Sequence, residues 1–581
     1  MIGRFLRAAL IPLGFATLLH AAPMMRLVNT TVVPVPLPVG GNGGTQIVEA
    51  YNVGDGSLSL AGNPTSSVSW ITTSYGLSRA CTTTTASATC IPIQLSLNTS
   101  ALAAGTYTAS VTVNAAANVV DAPQTITVTV RIGALTMYAA PGSASGVSFS
   151  THSPLTASPS TQDGNRWLSL AQDGSGSFKF TFPYRINVVP SAGMAQGTYN
   201  GSLVTSGSSF APDNQTVPVA LHVTTQPIAQ PYPDHVTARL AVGASPLAMQ
   251  ISPNNVGQGT LTMGAVSATT TDGGKWLTAS ANSGGWAAIT LDPGTLAPGF
   301  YTGSVSIASN AANGTVTAPV SFQVVAKGAP TANYMGVVDN AIFGSGDAVA
   351  PGDIVDVFGE QFWFANSIAF SPGVPLATQI TASGSTSSVL VNGRAAPLYF
   401  TSYSQIAFQV PLETPVGTVQ VQVQRDGLSG NTVSVQVAAR APRLLLAGGS
   451  SYGAIQNAKD LSYPAPVGYF GPGAVSHPAH VGDVLTIYAI GLGPTNPAVG
   501  TNVPAPGSEP LARLSVTPAV EFGSTIFGTT SATPSFAGLS PGSVGLYQVN
   551  VAIPAGVLSG NINLTLSFPD SASNTVQIPV Q

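Results

Sequence analysis

Two serines sit in Gly-x-Ser-x-Gly settings: Ser451 in Gly449-Ser-Ser-Tyr-Gly453 and Ser540 in Gly538-Leu-Ser-Pro-Gly542. Such a serine acts as a nucleophile where a strand leads into the turn and a helix follows. No helical pattern follows either one, and a chain with 63 glycines makes such matches by chance. Neither is read as a nucleophile. His477, His480 and Asp483 have the spacing of ligands on one helix face, but Pro478 and the Gly482-Asp483 turn deny them that helix. They read as a solvated loop, and His222 as a surface position on a strand. Asp353 and Asp483 open equivalent strands, so each is expected to accept hydrogen bonds from turn amides. No Asp-x-Asp-x-Asp-Gly calcium loop occurs, and no pair among the 21 acidic residues has the setting of a glycosidase dyad. Neither a cofactor nor a metal is expected. Cys81 and Cys90, the only cysteines, read as a disulfide. Trp286 and Trp363 fall outside every repeated pattern and are the candidate exposed aromatics for sugar stacking.

Composition narrows the classes. Charged residues make up 7% of the 581 residues, against about 25% in ordinary soluble domains. The surface must be built from Ser, Thr, Asn, Gln and Gly, as in many secreted β proteins. Seventeen Lys and Arg spread over the chain form no phosphate-binding face, so nucleic acid is not an expected partner. At the N-terminus, Arg4 and Arg7 precede the apolar run Ala8 to Leu19, and His20-Ala21-Ala22 offers a cleavage zone. Residues 1–22 therefore read as a signal peptide, and the mature chain is expected to be extracellular or surface-bound with no membrane span.

Helical periodicity is nearly absent. Short alternating runs of Val, Thr and Ile, punctuated by Gly, Pro, Asn and Asp, predict an all-β chain of tandem Ig-like sandwiches. The N-terminal half repeats one pattern. Asn52-Val-Gly-Asp-Gly-Ser-Leu58, Trp70 and Gly105-Thr-Tyr107 return as Asn255-Val-Gly-Gln-Gly-Thr-Leu261, Trp276 and Gly299-Phe-Tyr301. A worn copy between them keeps Trp167 and Gly197-Thr-Tyr199. The Gly-rich stretch reads as a tight turn, and the Trp and Tyr as core packing with the hydroxyl bonded to backbone. The predicted repeats are 23–133, 134–226 (divergent) and 227–328. This arrangement resembles the Bacteroidetes-associated carbohydrate-binding, often N-terminal (BACON) domains and related bacterial Ig-like repeats. The resemblance implies glycan binding but assigns it to no residue.

After the linker 326–332 comes a duplicated pair, predicted as 329–440 and as a connector plus sandwich over 441–581. Gly352-Asp353 heads one copy and Gly482-Asp483 the other. Gln405 to Pro411 matches Gln548 to Pro554, and Asn431-Thr-Val433 matches Asn574-Thr-Val576, at one constant offset. Each copy reads as a small Ig/IPT-like sandwich. Gly336 to Ala341, Ala350 to Asp353, Val389 to Gly393, Tyr488 to Pro494 and Gly545 to Gln548 carry a further likeness. Over residues 333–581 the chain closely resembles the uncharacterised C-terminal domain family of Solibacter-like soil acidobacteria, which implies export.

The expected role is a non-enzymatic extracellular or cell-surface binding or spacer protein, with polysaccharide or a cell-surface protein as partner. A structural or adhesion stalk that binds protein partners or itself is the second reading. A hydrolase with unrecognised catalytic residues is the third.

Overall fold

The computed structural model describes residues 23–581 apart from 53–56, 83–88, 117–118, 120–121, 173–181, 345, 365–367, 448–449, 471–472 and 525–527. The predicted signal segment and the Val53–Gly56 part of the first glycine turn lie outside the described residues. Those residues form strands throughout, with one 3-10 turn at Ala211–Asp213 and no α-helix. None of their helices is long and apolar enough to cross a membrane.

Five hydrophobic cores succeed one another along the chain, each closed between two sheets. The alternation read in the sequence sets their faces. In Gln124–Ile132, for example, Ile126, Val128, Val130 and Ile132 are buried, with Thr127, Thr129 and Arg131 between them on the outer face. In each sandwich an early segment runs parallel to the exit strand. Thr31–Val32 runs parallel to Gln124–Ile132, Leu135–Ala139 to Thr216–Val223, and Val236–Ala241 to Val316–Val325. Parallel bridges Val349 to Val437 and Ala479 to Val580 repeat this in the last two sandwiches. Equivalent central strands also pair alike in those two: Ile354–Glu360 with Gln405–Gln409, and Val484–Ile490 with Tyr547–Ala552.

The repeated motif has the structural meaning its residue types suggest. The hydroxyls of Tyr107, Tyr199 and Tyr301 donate to the carbonyls of Ala103, Ala195 and Ala297 at 3.1, 3.0 and 2.9 Å. Trp167 and Trp276 are buried, and their indole N–H groups donate to Asp163 and Asp272, each at 3.1 Å. Trp70 is half-buried against the first core. Asn255 accepts from Ile228 N–H at 3.2 Å and Gly257 N–H at 3.0 Å. Asn52 accepts from Met24 N–H at 2.9 Å. Cys81 and Cys90 form the expected disulfide.

The sandwiches are bound to one another rather than strung loosely. The predicted linker is docked: Gly328 N–H donates to Gln361 Oε1 at 2.8 Å, Gln361 Nε2 to Ala326 O at 3.2 Å, and Arg425 Nη2 to Gly328 O at 2.7 Å. Phe364 and Tyr403 of the fourth sandwich pack on the core of the third.

Trp363 corrects the sequence reading. It is 1% exposed, in the core of the fourth sandwich with Phe362. Gln361, at φ +62°, turns the chain inward after Ile354–Glu360, and Gly359 leaves room for the Phe362 ring. Trp363→Ala is therefore expected to cost about 3–5 kcal/mol, and Trp286→Ala, at a half-exposed hairpin tip, less than about 1 kcal/mol. Calorimetric melting of the two variants checks the contrast, and equal losses would contradict it.

Candidate functional site

A polar groove with a half-exposed aromatic on its wall lies where the first, third and fourth sandwiches meet. Its volume is about 650 Å³, within the range of ligand sites. Strand Gly105–Val113 supplies Ser110 and Thr112 from its outward-alternating face, and Ser66 and Ser67 stand beside them. The opposite wall holds Phe300 and Gln323, direct cross-strand neighbours in the third sandwich. Glu360 and Gln361 close it from the fourth.

Arg239 ties the three walls. Its Nη1 donates to Pro123 O of the first sandwich at 2.6 Å, and its Nε pairs with Glu360 Oε2 of the fourth at 3.0 Å. Thr125 Oγ1 donates to Gln323 Oε1 at 3.2 Å alongside. Behind this pair, the Tyr403 hydroxyl accepts from Ala241 N–H at 2.7 Å, and burial with the nearby Glu360 charge pushes its pKa up. Ser110 is 1% exposed, and its hydroxyl has no protein partner. A buried hydroxyl left unpaired is costly unless something reaches it. Phe300 is half-exposed. Hydroxyls, amides and one aromatic face are the groups that hydrogen-bond and stack on a sugar.

Phe300 and Arg239 were missed by the sequence reading. A signal for Phe300 existed: the middle residue of Gly-x-Tyr is Thr106, Thr198 and Phe300 in the three copies, so the aromatic departs from the repeat at an outward position. Arg239 carried no signal, because its partners lie in two other sandwiches.

The residues singled out by sequence fall elsewhere. The Trp286 ring lies across Gly284, where a Cβ would stand 1.8 Å from it, outside the groove. Ser451 Oγ meets Gln577 Oε1 at 3.2 Å and Ser540 Oγ meets Gln548 Oε1 at 3.3 Å, so neither bonds a base. His477 pairs with Asp460 at 3.0 Å and is pushed up by the Pro478 carbonyl and that carboxylate. His222 bonds Thr198 at 3.0 Å and stacks on Tyr138. Glu49, Cys81 and Cys90 are the one close cluster of metal-ligating types among the described residues, and the disulfide occupies both sulfurs.

Asp353 and Asp483 accept from amides three residues back, Ala350 N–H at 3.4 Å and His480 N–H at 2.8 Å, as their turns require. Asp353 also lies at the seam between the fourth and fifth sandwiches. Asn502 locks that seam by exchanging two bonds with the Leu376 backbone, at 2.6 and 2.7 Å, and by donating its N–H to Gln409 at 2.8 Å. Gly491, at φ +70°, lies where a Cβ would stand 2.1 Å from Ala441 O.

No family model and no curated protein matches the chain. Among solved structures it is similar to the protocadherin gamma B2 extracellular cadherin domains 1–5, at 11% identity, covering 90% of this chain and 92% of that one, TM-score 0.15. It is also similar to the N-terminal eight Ig domains of Down syndrome cell adhesion molecule, at 9% identity, 97% and 60% coverage, TM-score 0.14. A third similarity is to an endo-fucoidan hydrolase of glycoside hydrolase family 107, at 13% identity and TM-score 0.14, covering 53% of this chain. The chain spans 45% of that hydrolase's length. Likenesses of that size carry no argument about function.

Two predictions follow from this geometry. Arg239→Ala removes the tie between three sandwiches and is expected to cost about 2–3 kcal/mol, with the first sandwich swinging away. Small-angle scattering reads this as a larger radius of gyration, and an unchanged radius would refute it. The second concerns pH. Burial, reinforced by Asp339, pushes the Asp353 carboxyl well above its usual value, against the pull of the Ala350 amide and Arg443. The folded chain then holds this proton more tightly than the unfolded chain. The stability contribution of Asp353 is greatest below its unfolded pKa of about 3.9 and falls as pH rises toward the folded value. Asp353→Asn should flatten this decline in melting temperature between pH 4 and pH 8, and parallel curves for the two proteins would refute it.

Proposed function

We propose that this is an extracellular, non-enzymatic binding protein that takes an uncharged polysaccharide chain in the groove between its first, third and fourth sandwiches. The carrying observation is Phe300 set against Gln323, opposite Ser67, Ser110 and Thr112. The aromatic ring offers a face to the C–H side of a pyranose, while hydroxyls and amides meet its hydroxyls. The open Ser110 hydroxyl supplies a buried partner that a sugar hydroxyl or its water would satisfy. A chain with 7% charged residues suits a neutral ligand. The signal-like segment 1–22 and the two family resemblances support export. An extended stalk is the weaker reading, because the contacts of Arg239 hold the first sandwich back against the third and fourth.

Titration calorimetry of the full chain against cello-, xylo- and manno-hexaose tests this. Saturable binding of at least one is expected, weakened about tenfold by Phe300→Ala, equivalent to about 1.4 kcal/mol. Thr112→Trp, which fills the groove, should abolish it. Absence of binding to all three, or wild-type affinity in Phe300→Ala, would sink the reading.

A further inference from the structure

A second groove of about 670 Å³ opens where the first, second and third sandwiches meet. It shares a wall with the first groove: strand Gly105–Val113 gives Thr106 and Thr108 to this one, from the same outward face as Ser110 and Thr112. Its character differs. Each of the three sandwiches contributes a group that is or can become cationic: Arg131 from the first, Arg185 from the second and His235 from the third. In a chain with 17 Lys and Arg over 581 residues, such convergence stands out. Arg131 Nη1 donates to Ser148 O at 3.3 Å, and Arg185 Nε to Asn187 Oδ1 at 3.1 Å. These bonds orient the guanidiniums and leave other N–H groups of each to a ligand. The opposing charge is Asp234, which is itself held by His235 Nδ1 at 2.7 Å.

Arg185 is seated by a glycine. A Cβ on Gly146 would stand 2.2 Å from Arg185 Nε, so only glycine lets that side chain lie across the neighbouring strand into the groove. Burial also lowers the Arg131 pKa, with Asp234 opposing the shift. A partly desolvated guanidinium gains from a planar, bidentate anion.

We propose that this groove binds an anionic saccharide, its carboxylate or sulfate held between Arg131 and Arg185 and its hydroxyls against the threonine and serine walls, among them Thr106, Thr129, Thr317 and Ser321. The site is independent of the neutral-glycan groove beside Phe300 and exists only while the three sandwiches are assembled.

The full chain is titrated with hexagalacturonate, a sulfated carrageenan hexasaccharide and neutral cellohexaose, each at low and high salt. Saturable binding of one or both anionic probes, weakening as salt rises, is expected; which probe binds separates carboxylate from sulfate. Arg185→Gln should weaken that binding at least tenfold. Gly146→Ala should do so too, because it displaces Arg185 while keeping its charge, and circular-dichroism melting confirms that each variant folds. Any binding of cellohexaose should be the same in the wild type and both variants. No binding of either anionic probe, or wild-type affinity in a folded Arg185→Gln or Gly146→Ala protein, overturns the proposal.

Discussion

The Arg239 guanidinium is the point on which the arrangement of the sandwiches turns. It joins a backbone carbonyl of the first sandwich to a carboxylate of the fourth while rooted in the third. Ion pairs at a surface are worth little, but this pair is about four-fifths withdrawn from solvent on both sides. Losing one member would strand the other where water cannot fully compensate it. Without this tie, Phe300 and Ser110 are held across the groove only by the neutral bonds of Gln323 to Thr125 and Pro123, at 3.2 and 3.4 Å. The second groove depends equally on that assembly.

The fourth and fifth sandwiches are joined differently, by backbone proximity and neutral hydrogen bonds. Gly545 allows main chain to approach main chain across the seam, where a Cβ would stand 2.9 Å from Gly352 O, and Gly491 lies against the Asp353 carboxylate. Asn502, at φ +62°, folds its amide back onto Leu376. Such contacts fix a register rather than supply much energy, since each net hydrogen bond is worth only about 1 kcal/mol. The cost is a buried carboxyl, Asp353, with one oxygen unpaired.

Much of the fold was legible because it is written in local pattern. Alternating Val and Thr announce strands, and the recurrence of Trp and Gly-x-Tyr announces repeats, whose tyrosines bond backbone as their position required. The disulfide and the turn roles of Asp353 and Asp483 were readable for the same reason. The candidate grooves were not, since each draws walls from three sandwiches far apart in the chain. Trp363 misled because rarity within a repeat says that a residue is not repeat packing, and nothing about exposure. Phe300 was hidden inside a motif, with Thr106 and Thr198 at its counterpart positions as the only hint.

The parallel pairing of entry and exit strands has a mechanical side. A sandwich pulled by its two ends has its entry segments drawn one way and its last strand the other. Where those strands run side by side and parallel, tension slides them past each other, and the hydrogen bonds between them carry the load together instead of opening in turn. All five sandwiches are closed in that way, three by strand pairs and two by isolated bridges. The parallel pair is two residues long in the first sandwich, five in the second and six in the third, so the second and third are built to resist tension along the chain best.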